Sequence, residues 1–114
     1  MKDDRDHLVD MSEALQRIKK HSPADRGAFE RDELIQCWVV HHLRILCQSA
    51  EALSLAFRGA HSRVPWARFS HLGKVLDEHY FDFDREMIWK AMQHDLPPLG
   101  EQIERILKEF GADK

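Results

Sequence analysis

From about Phe29 or Arg31 to Leu53 the chain carries one long helical pattern, and it is apolar on more than one side. Leu34, Ile35, Trp38, Val39, Val40, Leu43, Ile45, Leu46, Cys47, Ala50 and Leu53 cover far more of a helical wheel than a single stripe would. A helix this broad in its apolar surface has to be covered from several directions, either as the central rod of a bundle or also at a subunit interface. Trp38, Val39 and Ile45 all ask for cover, which leads us to expect a homodimer built through the long helices.

The other segments read as partners for that rod. Leu8, Met11, Leu15 and Ile18 recur at spacings of three and four between Asp4 and about His21, giving an amphipathic helix. Ser22-Pro23 stops it, because the residue before proline is pushed out of helical geometry. A short loop is expected through Gly27, and a helical turn over Ser54–Arg58 closed by Gly59. A third substantial helix starts at Pro65, a suitable first helical residue, and ends near Glu78, with Gly73 a mild misfit inside it. Asp84 caps a fourth helix whose face is Met87, Ile88, Ala91 and Met92. Pro97 and Pro98 are expected to interrupt at Leu96, before a last helix that Gly111 closes.

With five glycines and four prolines in 114 residues, too few turns are available for a sandwich or barrel. The expected fold is all-α, a compact four- to five-helix bundle forming one domain over residues 1–114. A net charge of −3, with eight histidines uncounted, argues against long-range capture of nucleic acid by a basic face, though a local cleft can still be positive. Cys37 and Cys47 lie ten residues apart on one helix, roughly 15 Å at 1.5 Å per residue, beyond disulfide reach, and read as two buried thiols. The charged start Met1-Lys2-Asp3-Asp4 leads into no apolar signal region and no run reaches membrane length, so a cytoplasmic protein without membrane contact is expected.

Chemistry is concentrated between Val64 and Asp84. Lys74, Asp77, Glu78, His79 and Tyr80 lie within seven residues of one another, beside the apolar anchors Trp66, Phe69, Leu72, Leu76 and Phe81. No HExxH or paired-cysteine spacing is present, so neither a metal nor another cofactor is expected, and His71, Glu78 and His79 form no motif. His41 and His42 point about 100° apart on their helix and cannot chelate together. Arg63 and Arg68 flank Pro65-Trp66 and would suit contacts to phosphate, while Trp38, Trp66 and Trp89 fall on apolar faces.

Several stretches together resemble the HepT-like proteins, compact members of the HEPN superfamily. They are Met1 to Arg5, Asp32-Glu33-Leu34-Ile35-Gln36, His42-Leu43-Arg44-Ile45, Val64-Pro65-Trp66, His79-Tyr80-Phe81 and Asp95-Leu96-Pro97-Pro98-Leu99. The resemblance implies an all-helical, dimeric toxin paired with an MntA-like nucleotidyltransferase antitoxin, and a metal-independent endoribonuclease activity. It also implies a signature of an arginine, commonly followed by Asn or Asp, a histidine five residues after the arginine, and a tyrosine two further on, which the antitoxin silences by adding AMP. Those residue types suit RNA cleavage, which needs a base for the 2′-OH, an acid for the leaving oxygen and cations for the phosphate.

Placed on this sequence, Tyr80 matches the tyrosine, which makes it the candidate modification site. Gly73 takes the arginine position, Lys74 the Asn/Asp position and Glu78 the histidine position, with His79 between Glu78 and Tyr80. Gln48 stands where relatives often carry a glutamate. The catalytic candidates are therefore Glu78, Tyr80 and Lys74, and the RNA-binding candidates Arg68, Lys74 and His79. A carboxylate can accept a proton but is a poor acid at neutral pH, and glycine cannot stabilise a pentavalent phosphate. Two readings stay open: an endoribonuclease with an altered signature, or a non-catalytic module of the same fold that docks a nucleotidyltransferase or RNA.

Overall fold

A computed structural model describes residues 3–23, 25–80 and 82–112; Met1, Lys2 and Phe81, which the sequence comparison used, lie outside them. The elements are α1 (Asp4–Lys20), α2 (Arg26–Arg31), α3 (Glu33–Ala52), α4 (Leu55–Ala60), α5 (Trp66–Glu78), α6 (Arg85–Lys90), a π-helical turn over Ala91–Asp95, and α7 (Leu96–Ala112). Among the described residues there is no strand, and no helix is long and apolar enough to cross a membrane. The all-α expectation holds.

The central rod is α3, packed against α1 on one side and α5 on another, while α7 lies along α1. Leu8, Met11, Val39, Leu43, Leu46, Leu76, Ile88, Leu99 and Ile103 are completely or almost completely buried and come from all the long helices. Five of the helices (α1, α2, α3, α4 and α6) start where the sequence provides a side-chain acceptor for orphan N–H groups, whereas α5 starts after Pro65 without one. Asp3 and Asp6 form a reciprocal capping box on α1. Asp25, Asp32, Ser54 and Asp84 cap α2, α3, α4 and α6. Asp4 ties the start of α1 to the α3–α4 turn: its carboxylate accepts from the Ser54 N–H and hydroxyl, both at 2.8 Å.

Besides Gly59, which lies inside α4 and does not close it, four boundaries differ from the sequence reading. The segment before α3 is not loop and then one long helix; α2 forms first and the chain turns at Asp32. Asp32 serves both helices, ending α2 and accepting from Ile35 N–H at 3.1 Å. Buried Gln36 fixes this corner by donating to the carbonyls of Phe29 (2.8 Å) and Glu30 (3.1 Å). Pro65 precedes α5 as its N-cap and Trp66 is the first helical residue. Gly111 does not close α7, whose backbone continues through Ala112.

The fourth difference concerns Pro97 and Pro98, which do not break the chain. Helical backbone runs from α6 through the π-turn into α7, and the two prolines occupy the first turn of α7. The Leu96 N–H bonds to Ala91 O across the wider ring. At about 100° per residue, the eight steps from Ile88 to Leu96 would carry the apolar face some 80° around an ideal α-helix. The π-turn takes up that drift, so Ile88, Met92, Leu96 and Leu99 all reach the core.

The cysteines also divide: Cys47 is buried and Cys37 is exposed. Val39 is fully buried within the single chain, so it does not call for a second one. Leu34, by contrast, is 83% exposed on the same helix, with Trp38 and Ile45 half-buried.

Candidate functional site

The α3–α5 crossing forms the floor of the site. Gly73 lies so close to α3 that a Cβ added to it would stand 2.9 Å from the Cβ of Cys47. Real Cβ atoms do not approach this closely, so the glycine is a packing requirement, not a helix misfit. The space beside Gly73 is filled by the side chain of the buried Cys47.

Along this contact both helices present the same spacing. Arg44, Cys47, Gln48 and Glu51 from α3 face Ser70, Gly73, Lys74 and Asp77 from α5 around a recess of about 300 Å³. On each helix the residues fall at i, i+3, i+4 and i+7, the rows that meet when helices pack. Lys74 therefore opens onto the same space as Gly73 despite being one residue further on. Burial, with Asp77 and Glu51 adding to it, pushes the Cys47 thiol up to about 12, so it stays protonated and inert.

Arg44 is the cation of the recess that packs against Tyr80. Its Nε donates to Asp77 Oδ1 at 3.1 Å, and its guanidinium carbon lies 5.3 Å from the centre of the Tyr80 ring. Tyr80 is 45% exposed and also borders a larger hollow, about 640 Å³, with Arg31, Gln36, Cys37 and Arg85. The tyrosine thus lines the larger hollow and meets the recess only through Arg44.

The remaining candidates are spread more widely. Glu78 is the exposed last residue of α5 and does not line the recess. His79 ends that helix: its N–H bonds to Val75 O, and its ring Nδ1 lies 3.3 Å from Asp82 Oδ1. Arg68 faces another hollow, formed by α5 and α6, and its Nη1 donates to Asp95 Oδ1 at 2.8 Å. Arg63 lines a further cavity with Arg105 and Gln102. The structure thus brings Lys74, Gly73 and Gln48 together, leaves Glu78, His79 and Tyr80 at the helix end, and puts Arg68 and Arg63 elsewhere. Among the described residues, no three His, Cys, Asp or Glu side chains gather as a metal-binding group.

Arg44 is the residue that sequence reasoning missed. The signal that could have found it is the i, i+3, i+4, i+7 row it shares with Cys47, Gln48 and Glu51.

Comparison with known proteins places this chain in a family. The chain is 29% identical over 105 residues to a protein of Caldanaerobacter subterraneus subsp. tengcongensis named "Putative RNase", with 91% of each covered. It is 26% identical over 107 residues to the "Probable ribonuclease HepT" of Thermococcus cleftensis, across 91% of this chain and 96% of that one. A match of 25% identity over 108 residues joins it to a Methanocaldococcus jannaschii protein named "Gamma-glutamylcyclotransferase and putative RNase". That match covers 95% of this chain and 48% of the relative, so the chain spans about half of that protein's length. No solved structure matches. The family model described as Ribonuclease HepT-like matches residues 11–106, which takes in α3, α5 and most of α7, and the chain therefore belongs to the HepT-like family.

Proposed function

We propose that this protein is a HepT-type toxin component: a homodimeric, RNA-directed protein of endoribonuclease kind, controlled by an MntA-like nucleotidyltransferase that transfers AMP to Tyr80. The observation that supports this best is the placement of Tyr80, half-exposed in the larger hollow where a second enzyme can reach its hydroxyl. In the transfer, the Tyr80 oxygen attacks the α-phosphorus of ATP. Pyrophosphate leaves and the phenolic proton passes to solvent or a base of the transferase. The added AMP would carry a negative charge and a base into the space above the α3–α5 recess, where it would repel and obstruct an RNA backbone.

In the RNA reaction Glu78 takes the proton of a 2′-OH, whose oxygen attacks the adjacent phosphorus; the bond to the 5′-oxygen breaks, that oxygen takes a proton from water, and a 2′,3′-cyclic phosphate is left. Lys74 offsets charge on the phosphate, and Arg68 and His79 contact the backbone further along. The outer face of α3 is the dimer surface in this reading, with Leu34 and Cys37 exposed and Ile45 half-buried.

Two observations favour the second reading, a non-catalytic docking module. Glu78 stands exposed and outside the recess, and Cys47 blocks the place where a signature arginine would enter. The deciding test incubates the purified protein with a fluorescent single-stranded and a structured RNA in EDTA. Cleavage that disappears in Glu78→Ala supports the enzyme and sinks the docking module. Cleavage seen only with Gly73→Arg, Lys74→Asn and Glu78→His, built on Cys47→Gly to make room, supports the module. Intact-mass measurement after incubation with ATP and the transferase tests Tyr80, with Tyr80→Phe expected to gain no AMP.

A further inference from the structure

The contacts of Arg44 are unusual for a residue with only a structural task. Its side chain is 34% exposed, and its one ion pair, to Asp77, is with a residue 55% exposed. Such a solvent-exposed pair contributes little to folding. What it does is fix a plane. The Nε bond to Asp77 holds one edge of the guanidinium, and the Tyr80 ring limits movement on another side. Among the described residues, the two terminal nitrogens of Arg44 have no hydrogen-bond partner. These two form the parallel fork that matches two oxygens of a phosphate group. Lys74 stands across the same recess, and Asp77, one of its two carboxylates, is already engaged by Arg44.

We propose that Arg44 is the phosphodiester-binding cation of this cleft, offering its two terminal nitrogens to the nonbridging oxygens of one RNA phosphate, with Asp77 and Tyr80 acting as positioning residues. The inference rests on the RNA-directed reading above. It gives the cleft a fixed positive group supplied from α3, on a helix that carries none of the signature. The same geometry explains how modification at Tyr80 would reach RNA contact directly, since the ring that would carry AMP is the ring that Arg44 packs against.

The test is fluorescence anisotropy of a labelled 12-nucleotide poly(U) RNA over a series of salt concentrations, with the full chain. Arg44→Ala is expected to lower affinity about tenfold or more and to reduce the salt slope by about one, as loss of one bidentate phosphate contact would. Arg44→Lys keeps the charge without the fork, so it should keep the slope and recover only part of the affinity. Arg105→Ala, one charge removed on α7 away from the cleft, should leave both at the natural value. Adding ATP as competitor separates a nucleotide-phosphate site from an RNA site: displacement of the RNA at concentrations near those of nucleotide binding would overturn the assignment to RNA. Unchanged binding in both Arg44 variants, with the natural protein binding, overturns the role of Arg44 alone. No binding by the natural protein overturns it together with the RNA reading.

Discussion

A single missing Cβ decides how near α5 can come to α3. On helix propensity alone Gly73→Ala should stabilise by about 1 kcal/mol. The 2.9 Å approach to Cys47 reverses this, because overpacking a filled contact costs about 1–3 kcal/mol. We expect Gly73→Ala to lower the denaturation midpoint, and Cys47→Gly in the same chain to remove most of that penalty, giving a coupling visible in a double-mutant cycle. Additive effects of the two changes would show that the helices separate freely. His42 makes a second residue-scale prediction. It is 6% exposed, packed edge-to-face against Trp38 (centroids 4.4 Å apart) and His41 (4.9 Å), and neither ring nitrogen has a partner among the described residues. Burial, helped by the positive charges of His41 and Arg17, holds its pKa below the ordinary value of 6.5. As pH falls through 6.5 the unfolded chain takes up a proton that the folded chain refuses, so stability declines on acidification below that point. His42→Phe should match the natural protein at pH 7.5 and gain on it at pH 5.5 in thermal melts; an equal difference at both values would remove His42 as the source. That His41 and His42 face different surroundings was legible from their angular separation, but which of them is buried was not. The roles of Gly73 and Arg44 were not, because each is defined by an atom on another helix.

At the scale of elements, the pattern of apolar spacings and side-chain caps gave α1, α3, α5 and α6 to within a residue or two at most ends. Local signals fix these boundaries, and local signals are what one sequence contains. The corner at Asp32 escaped because apolar spacing runs straight through it. Phe29 keeps the periodicity of α3 yet belongs to α2, where it is fully buried. Asp32 ends one helix and starts the next, so its removal should weaken both. Asp32→Ala is expected to cost about 1 kcal/mol, within the usual range for a lost N-cap, read as a lower urea midpoint with an unchanged slope. Asp32→Asn, which can still accept from Ile35 N–H, should retain most of that stability. The proline pair was misleading for a related reason. Proline is excluded from helix interiors by the hydrogen bond it lacks, but the first turn after a π-turn requires no such bond.

The whole molecule is a long-helix bundle in which one element, α3, carries three tasks at once. Its α1-facing and α5-facing rows fill the core, its Arg44–Glu51 row builds the recess, and its outer row leaves Leu34 83% exposed. The proposed dimer uses that outer row. Light scattering after gel filtration should then give twice the 13.4 kDa chain mass, and Leu34→Glu should shift the population toward single chains. A natural protein that elutes as a single chain at all loading concentrations would end this proposal. The π-turn has a consequence of a different kind. Pro97 and Pro98 have no N–H to give, so the carbonyls of Gln93 and His94, both in exposed residues, lose the donors an unbroken α-helix would supply. Amide exchange is governed by such local openings, and here they fall between two well-packed stretches. The joined helix from Arg85 to Ala112 should therefore behave in deuterium-exchange experiments as two separately protected units, the Ile88 side and the Leu99–Ile103 side, that breathe about a common soft point.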